Sequence, residues 1–152
     1  MKKLRYIVAI VLVAFCSTAK AGGIMVMNPV AAASPTAQTK NGAIYLSIMN
    51  MGVTSDTLIN ITTPAAASAV LHESKDENGV MKMIMLDQLE IPAGATIDIL
   101  PGHLHIMLTG MKAPLKLGNH LALDLEFKKA GHIAVDVIVG KTDDMNGMKH
   151  KN

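Results

Sequence analysis

His72, Met83, His105 and Met107 are the residues of this chain whose types and spacing could do chemistry. Two imidazoles and two thioethers form a soft ligand set without negative charge, which suits Cu(I) and few other biological metals. Structural zinc sites favour thiolates, and catalytic zinc sites combine His and carboxylates with an open water position. A blue-copper electron-transfer centre needs a Cys thiolate beside His and Met. The only cysteine is Cys16, at the far N-terminus, so electron transfer at such a centre is not expected. Because imidazole must be neutral to bind, the affinity of such a site should fall on acidification.

The elements that must position these side chains read as strands. From Ala43 onward the apolar period is two rather than 3.6. Strands are predicted at residues 43–50, 56–62, 66–73, 80–88, 95–100, 104–109, 120–127 and 132–139. Turn signals lie between them, among them Pro101-Gly102, Pro114 and Gly118. The expected fold is all-β, a sandwich or barrel in a single domain. Residues 22–42, rich in Gly, Ala, Pro, Ser and Thr, read as an irregular leading segment with a short strand around Ile24 to Met27. The domain proper then runs over 43–140, and a polar Met- and His-containing tail over 141–152.

Placing the four residues on these strands gives them a geometry. In His105-Ile106-Met107 the first and third side chains leave one face of a strand, while Leu104, Ile106 and Leu108 leave the other. His72 and Met83 lie on either side of a hairpin closed through Ser74-Lys75-Asp76-Glu77-Asn78-Gly79. A four-residue loop over Asp76 to Gly79 sets His72 opposite Met83. A two-residue type I′ turn at Asn78-Gly79 sets His72 opposite Met85 and makes Met83 its diagonal neighbour. Met81, Met83 and Met85 share one face, so parity alone leaves the methionine open. Taken singly, each of these methionines also reads as ordinary core filling.

The N-terminus carries an address. Lys2, Lys3 and Arg5 precede an apolar run from Tyr6 to Phe15, too short to span a bilayer. Ala19-Lys20-Ala21 supplies an A-x-A cleavage site, so residues 1–21 read as a secretory signal peptide. Lipidation at Cys16 is disfavoured by Phe15, where lipoprotein processing needs a small side chain. The expected product is periplasmic, with no membrane span after cleavage. The full chain carries 14 basic and 12 acidic residues. Removing Lys2, Lys3, Arg5 and Lys20 leaves ten basic residues against twelve acidic, a net charge of −2. Scattered Lys, absent Arg and few aromatics exclude a nucleic-acid footprint. No nucleophile and base are spaced for catalysis, so an enzyme is not expected. Eleven methionines remain in the 131 residues after the predicted cut. That density keeps a copper storage or detoxification protein as one rival reading; a metal-free β-sandwich interaction module is another.

The chain resembles the periplasmic copper chaperones of the PCuAC type, whose signature is His, ten residues, Met, twenty-one residues, His, one residue, Met. His72, Met83, His105 and Met107 reproduce all three gaps. The context also matches, in Leu71-His72-Glu73, Gly79-Val80-Met81-Lys82-Met83, Ile91-Pro92-Ala93-Gly94, Leu100-Pro101-Gly102, Gly110-Met111 and Pro114-Leu115. The likeness runs from about Ala43 to Val139. It implies a cupredoxin-like fold, selects Met83 over Met81 and Met85, and implies one Cu(I) held near the surface without catalysis. The implied partner is a copper-accepting exported protein, such as a cytochrome c oxidase subunit or its assembly factor, serving the binuclear copper centre. Two departures stand out. A Trp common near the start of the mature domain is replaced by Ile24-Met25-Val26-Met27. A position often occupied by Gly is His103, which reads as an exposed turn residue, with auxiliary ligation as the alternative. Met85 remains an auxiliary candidate through the second hairpin register. Some relatives bind a second copper, as Cu(II), in a tail, which makes Met145, Met148 and His150 candidates for that role. His120 and His132 read as solvated strand starts.

Overall fold

A computed structural model describes residues 23–141, so the predicted signal peptide and the tail candidates Met145, Met148 and His150 lie outside the described residues. Alternating apolar residues and glycine-rich turns give ten strands and no helix among these residues. They are β1 (Ile24–Ala32), β2 (Asn41–Asn50), β3 (Asp56–Thr62), β4 (Ala66–Glu77), β5 (Val80–Leu86), β6 (Leu89–Ile91), β7 (Thr96–Ile99), β8 (Leu104–Met111), β9 (His120–Phe127) and β10 (Gly131–Gly140). Hydrogen bonding joins them in the order β5-β4-β8-β2-β1-β10-β9-β3-β6, with β7 added on β2. β2 is shared along one edge: β8 pairs with residues 41–44 and β7 with residues 46–49.

A flat sheet could not bring its two ends together, yet Ile44, Leu71 and Ile106 share one buried cluster with Leu58, Leu125 and Phe127. The sheet therefore folds over on itself as a cupredoxin-like sandwich around a single core. β9 shows the expected period most cleanly: Leu121, Leu123, Leu125 and Phe127 are buried, and the residues between them are exposed or half-buried. Each such side chain contributes about 1.5–3 kcal/mol on burial.

The leading segment differs from its sequence reading. β1 does not stop at Met27 but continues to Ala32, pairing antiparallel with β2 and parallel with β10. Its register shifts between Met27 and Val30, where Asn28 takes a positive φ of 50°. Pro29 has no N–H to give a ladder, so a bulge is the way to carry the strand past it. That interruption conceals the strand's continuation beyond Met27 in the sequence. The short β6 is also absent from the sequence reading, falling between two of the predicted strands.

Candidate metal centre

β8 supplies the rigid half of the site. It is launched by Leu100-Pro101-Gly102-His103, in which the His103 N–H donates to the Leu100 carbonyl at 3.2 Å and Gly102 has a φ of 85°. Pro followed by a positive-φ glycine defines a type II turn. Ile106 and Leu108 then anchor the strand in the core at 0% exposure, so His105 and Met107 must leave the opposite face. His105 is itself only 8% exposed, and Met107 is half-buried.

β4 lies against β8 with His72 directly opposite His105. The two rings stack with centroids 5.7 Å apart and planes 24° from parallel. Burial, and then the neighbouring His72, push the His105 pKa below its ordinary value of 6.5; a hydrogen bond to the His103 main chain opposes this. Burial thus favours the neutral imidazole that a metal ion requires. His72 Nδ1 is buried without a hydrogen-bond partner. Such an orphan costs about 1–3 kcal/mol, and a metal ion is one group that would satisfy it.

The hairpin resolves the register left open by sequence. Glu77 pairs with Val80, and Asn78 and Gly79 have φ of 57° and 81°, as a type I′ turn requires. His72 therefore faces Met85, Ser74 faces Met83, and Met83 is the diagonal neighbour of His72. The cavities separate the two methionines. Met83 lines an open groove of about 400 Å³ together with His105, Met107 and Ser74. Met85 lines a different cleft, against Leu58, Ile61 and Leu89. Met83 is 65% exposed because β5 is the outermost strand and its hairpin projects from the core.

Among the described residues no three His, Cys, Asp or Glu side chains converge as a metal site. The groove's donors for a soft ion are imidazole and thioether, a set that fits Cu(I) and gives hard or thiolate-seeking ions little. His103 is exposed in its turn and binds the fold through its main chain, accepting from the Ser74 N–H at 2.7 Å. His120 and His132 are also exposed. They pair with Asp136 of β10 at 2.7 Å and Asp124 of β9 at 2.8 Å, and the latter contact raises the His132 pKa. One groove residue escaped the sequence reading. Tyr45 of β2 lines the wall, its phenol pushed upward in pKa by burial. Only the β2–β8 pairing, in which Ala43 meets Met107, brings it there.

Fold and groove together define a cupredoxin-like β domain with a soft, neutral donor set at one face. Residues 17–139 match the LpqE-like family, described as "Putative lipoprotein LpqE-like", and the chain belongs to that family. It is 36% identical over 98 residues to "Putative lipoprotein Lxx21020" of Leifsonia xyli subsp. xyli, a match covering 64% of this chain and 59% of the relative. The chain spans about three-fifths of the length of the curated relatives it matches. Among solved structures it is similar to CuI-DR1885 from Deinococcus radiodurans, with 27% identity and a TM-score of 0.61, covering 83% of this chain and 85% of that one. It shares the fold of the copper-bound PCuAC domain from PmoF2, at 22% identity and a TM-score of 0.67, over 79% of this chain and 94% of that one.

Proposed function

We propose that this protein is a periplasmic Cu(I) metallochaperone. It binds one Cu(I) through His72, Met83, His105 and Met107 and passes it to an exported copper protein. A cytochrome c oxidase subunit, or the factor that assembles its binuclear copper centre, is the recipient we favour. The observation that carries the reading is the stacked His72–His105 pair, one ring nitrogen buried without a partner, beside a groove that Met83 and Met107 line. The similarity to CuI-DR1885 supports the same metal.

The two halves of the groove suit loading and release. β8 holds His105 and Met107 on a strand fixed by core residues, so half of the coordination sphere is preorganised. Met83 sits on an exposed hairpin, where an incoming thiolate or thioether of an acceptor can replace it without disturbing the core. A neutral thioether is a weaker hold on Cu(I) than a thiolate, so exchange runs toward a Cys-bearing acceptor.

The test is a Cu(I) titration of the purified protein in competition with a chromophoric chelator, followed by X-ray absorption on the tight-site complex. Two nitrogen and two sulfur neighbours are expected at that ion. Nitrogen and oxygen alone would refute the ligand set. Several Cu(I) of similar affinity, with no dominant site, would favour storage over delivery.

A further inference from the structure

A second group of thioethers lies on the same outer face of the sheet, away from the groove. Met25 and Met27 are i and i+2 on β1, and Met49 of β2 is paired directly with Met25. The intervening residues Ile24, Val26 and Ile48 pack against the core. The three methionines must therefore leave the opposite face. Met25 is 43% exposed, and Met27 and Met49 are half-buried. Directly opposed Cβ atoms in such a ladder are about 5 Å apart and diagonal ones about 7 Å, so three flexible thioethers can meet over one point. Asp98 of β7 stands at the edge of this patch, opposite Ser47 and accepting from its hydroxyl at 2.6 Å.

Core filling does not account for the patch, since a gap-filling methionine is enclosed and these three point outward. We infer that Met25, Met27 and Met49 form a second, all-thioether Cu(I) site. Three neutral sulfur donors suit Cu(I) and offer nothing to Zn²⁺, Mg²⁺ or Ca²⁺. The nearby Asp98 carboxylate favours a bound cation. The patch cannot share the groove's ion: Met107 pairs with Ala43, and Met49 lies six residues further along β2, roughly 20 Å away at strand rise. The site does not depend on the delivery reading, because none of its donors lines the groove.

The test compares three forms of the protein by Cu(I) titration under reducing conditions. The unaltered chain should bind two ions. The His72→Ala/His105→Ala form should retain one, with X-ray absorption showing sulfur neighbours and no nitrogen. The Met25→Leu/Met27→Leu/Met49→Leu form, which keeps side-chain volume, should retain one with nitrogen and sulfur. A second ion persisting in the triple-Leu form overturns the site, as does a His72→Ala/His105→Ala form that binds none. Ag(I) added to the unaltered protein gives an independent readout: the Met25, Met27 and Met49 methyl resonances should shift together. Still methyls there, with Met145 and Met148 moving instead, would assign the second ion to the tail and overturn the proposal. If the groove reading alone fails, the His72→Ala/His105→Ala form binds as many ions as the unaltered chain.

Discussion

The groove and the methionine patch lie on one face of one sheet, yet they are built on different principles. The groove combines imidazole with thioether and buries His105, and His72, stacked on His105 beside it, has an Nδ1 without a partner. The patch has thioethers alone, on outward-facing ladder positions of which only Met25 is exposed. The groove holds one donor, His105, already desolvated and oriented on a fixed strand, so a bound ion gains there what it must organise for itself at the patch. Tight binding should therefore belong to the groove and weak, exchangeable binding to the patch. The difference also separates their responses to pH, because thioethers do not titrate.

The largest expected effect is from His105→Ala. It removes a buried donor from the rigid half of the groove, and Cu(I) affinity there should fall by more than about 100-fold. The patch ion should remain. The check is chelator competition on both steps of the titration; loss of both together would mean that the two regions are one site.

Acidification should divide the regions next. The His105 pKa lies below 6.5, mainly through burial. Cu(I) binding at the groove should weaken as pH falls through the His105 value, by up to about tenfold per pH unit for each proton displaced. The patch should show a flat profile over the same range. The metal-free fold carries the matching signature. A depressed histidine pKa supplies stability that is present above the ordinary value and lost as pH falls through the folded one. Denaturant midpoints measured across that window should decline toward acid, and the decline should vanish in His105→Ala.

Within the groove, Met83 and Met85 offer a sharper contrast. They share a strand face but line different cavities. Met83→Leu should weaken groove binding by about tenfold, roughly 1.4 kcal/mol, while Met85→Leu should leave it unchanged. Equal losses from the two would show that the hairpin shifts its register on binding copper.

The sequence disclosed the groove far better than the patch, for physical reasons. His105 and Met107 are two residues apart on one strand, so parity alone puts them side by side. His72 and Met83 are joined by a local hairpin, whose two possible registers follow from turn geometry alone. The choice of Met83 over Met85 needs more than parity, since both obey it. The patch depends on the β1–β2 register, a pairing obscured by the bulge at Asn28-Pro29 and by a composition that reads as loop. Tyr45 is hidden similarly, because it reaches the groove wall only through a long-range strand pairing. Alternating core residues make β9 visible at its full length, whereas the three-residue β6 carries too little pattern to be recognised.

The smallest effect tests what sets the register itself. Gly79 has a φ of 81° with open space around its Cα, so an added methyl meets no atom and the penalty is conformational alone. Gly79→Ala should destabilise the fold by about 1 kcal/mol. Its consequence for copper depends on how the hairpin relieves that strain. If the two-residue turn holds, Met83 stays diagonal to His72 and groove affinity is kept. If the turn relaxes to a four-residue loop, Lys75 takes Val80 as its partner and Met83 moves opposite His72. The β4–β5 register read from cross-strand nuclear Overhauser contacts distinguishes the two. Because His105 and Met107 stand on β8, outside the hairpin, they should keep their positions in either case. The patch on β1 and β2 should be indifferent to the change, and a patch that weakened with Gly79→Ala would show the two regions to be coupled through the sheet.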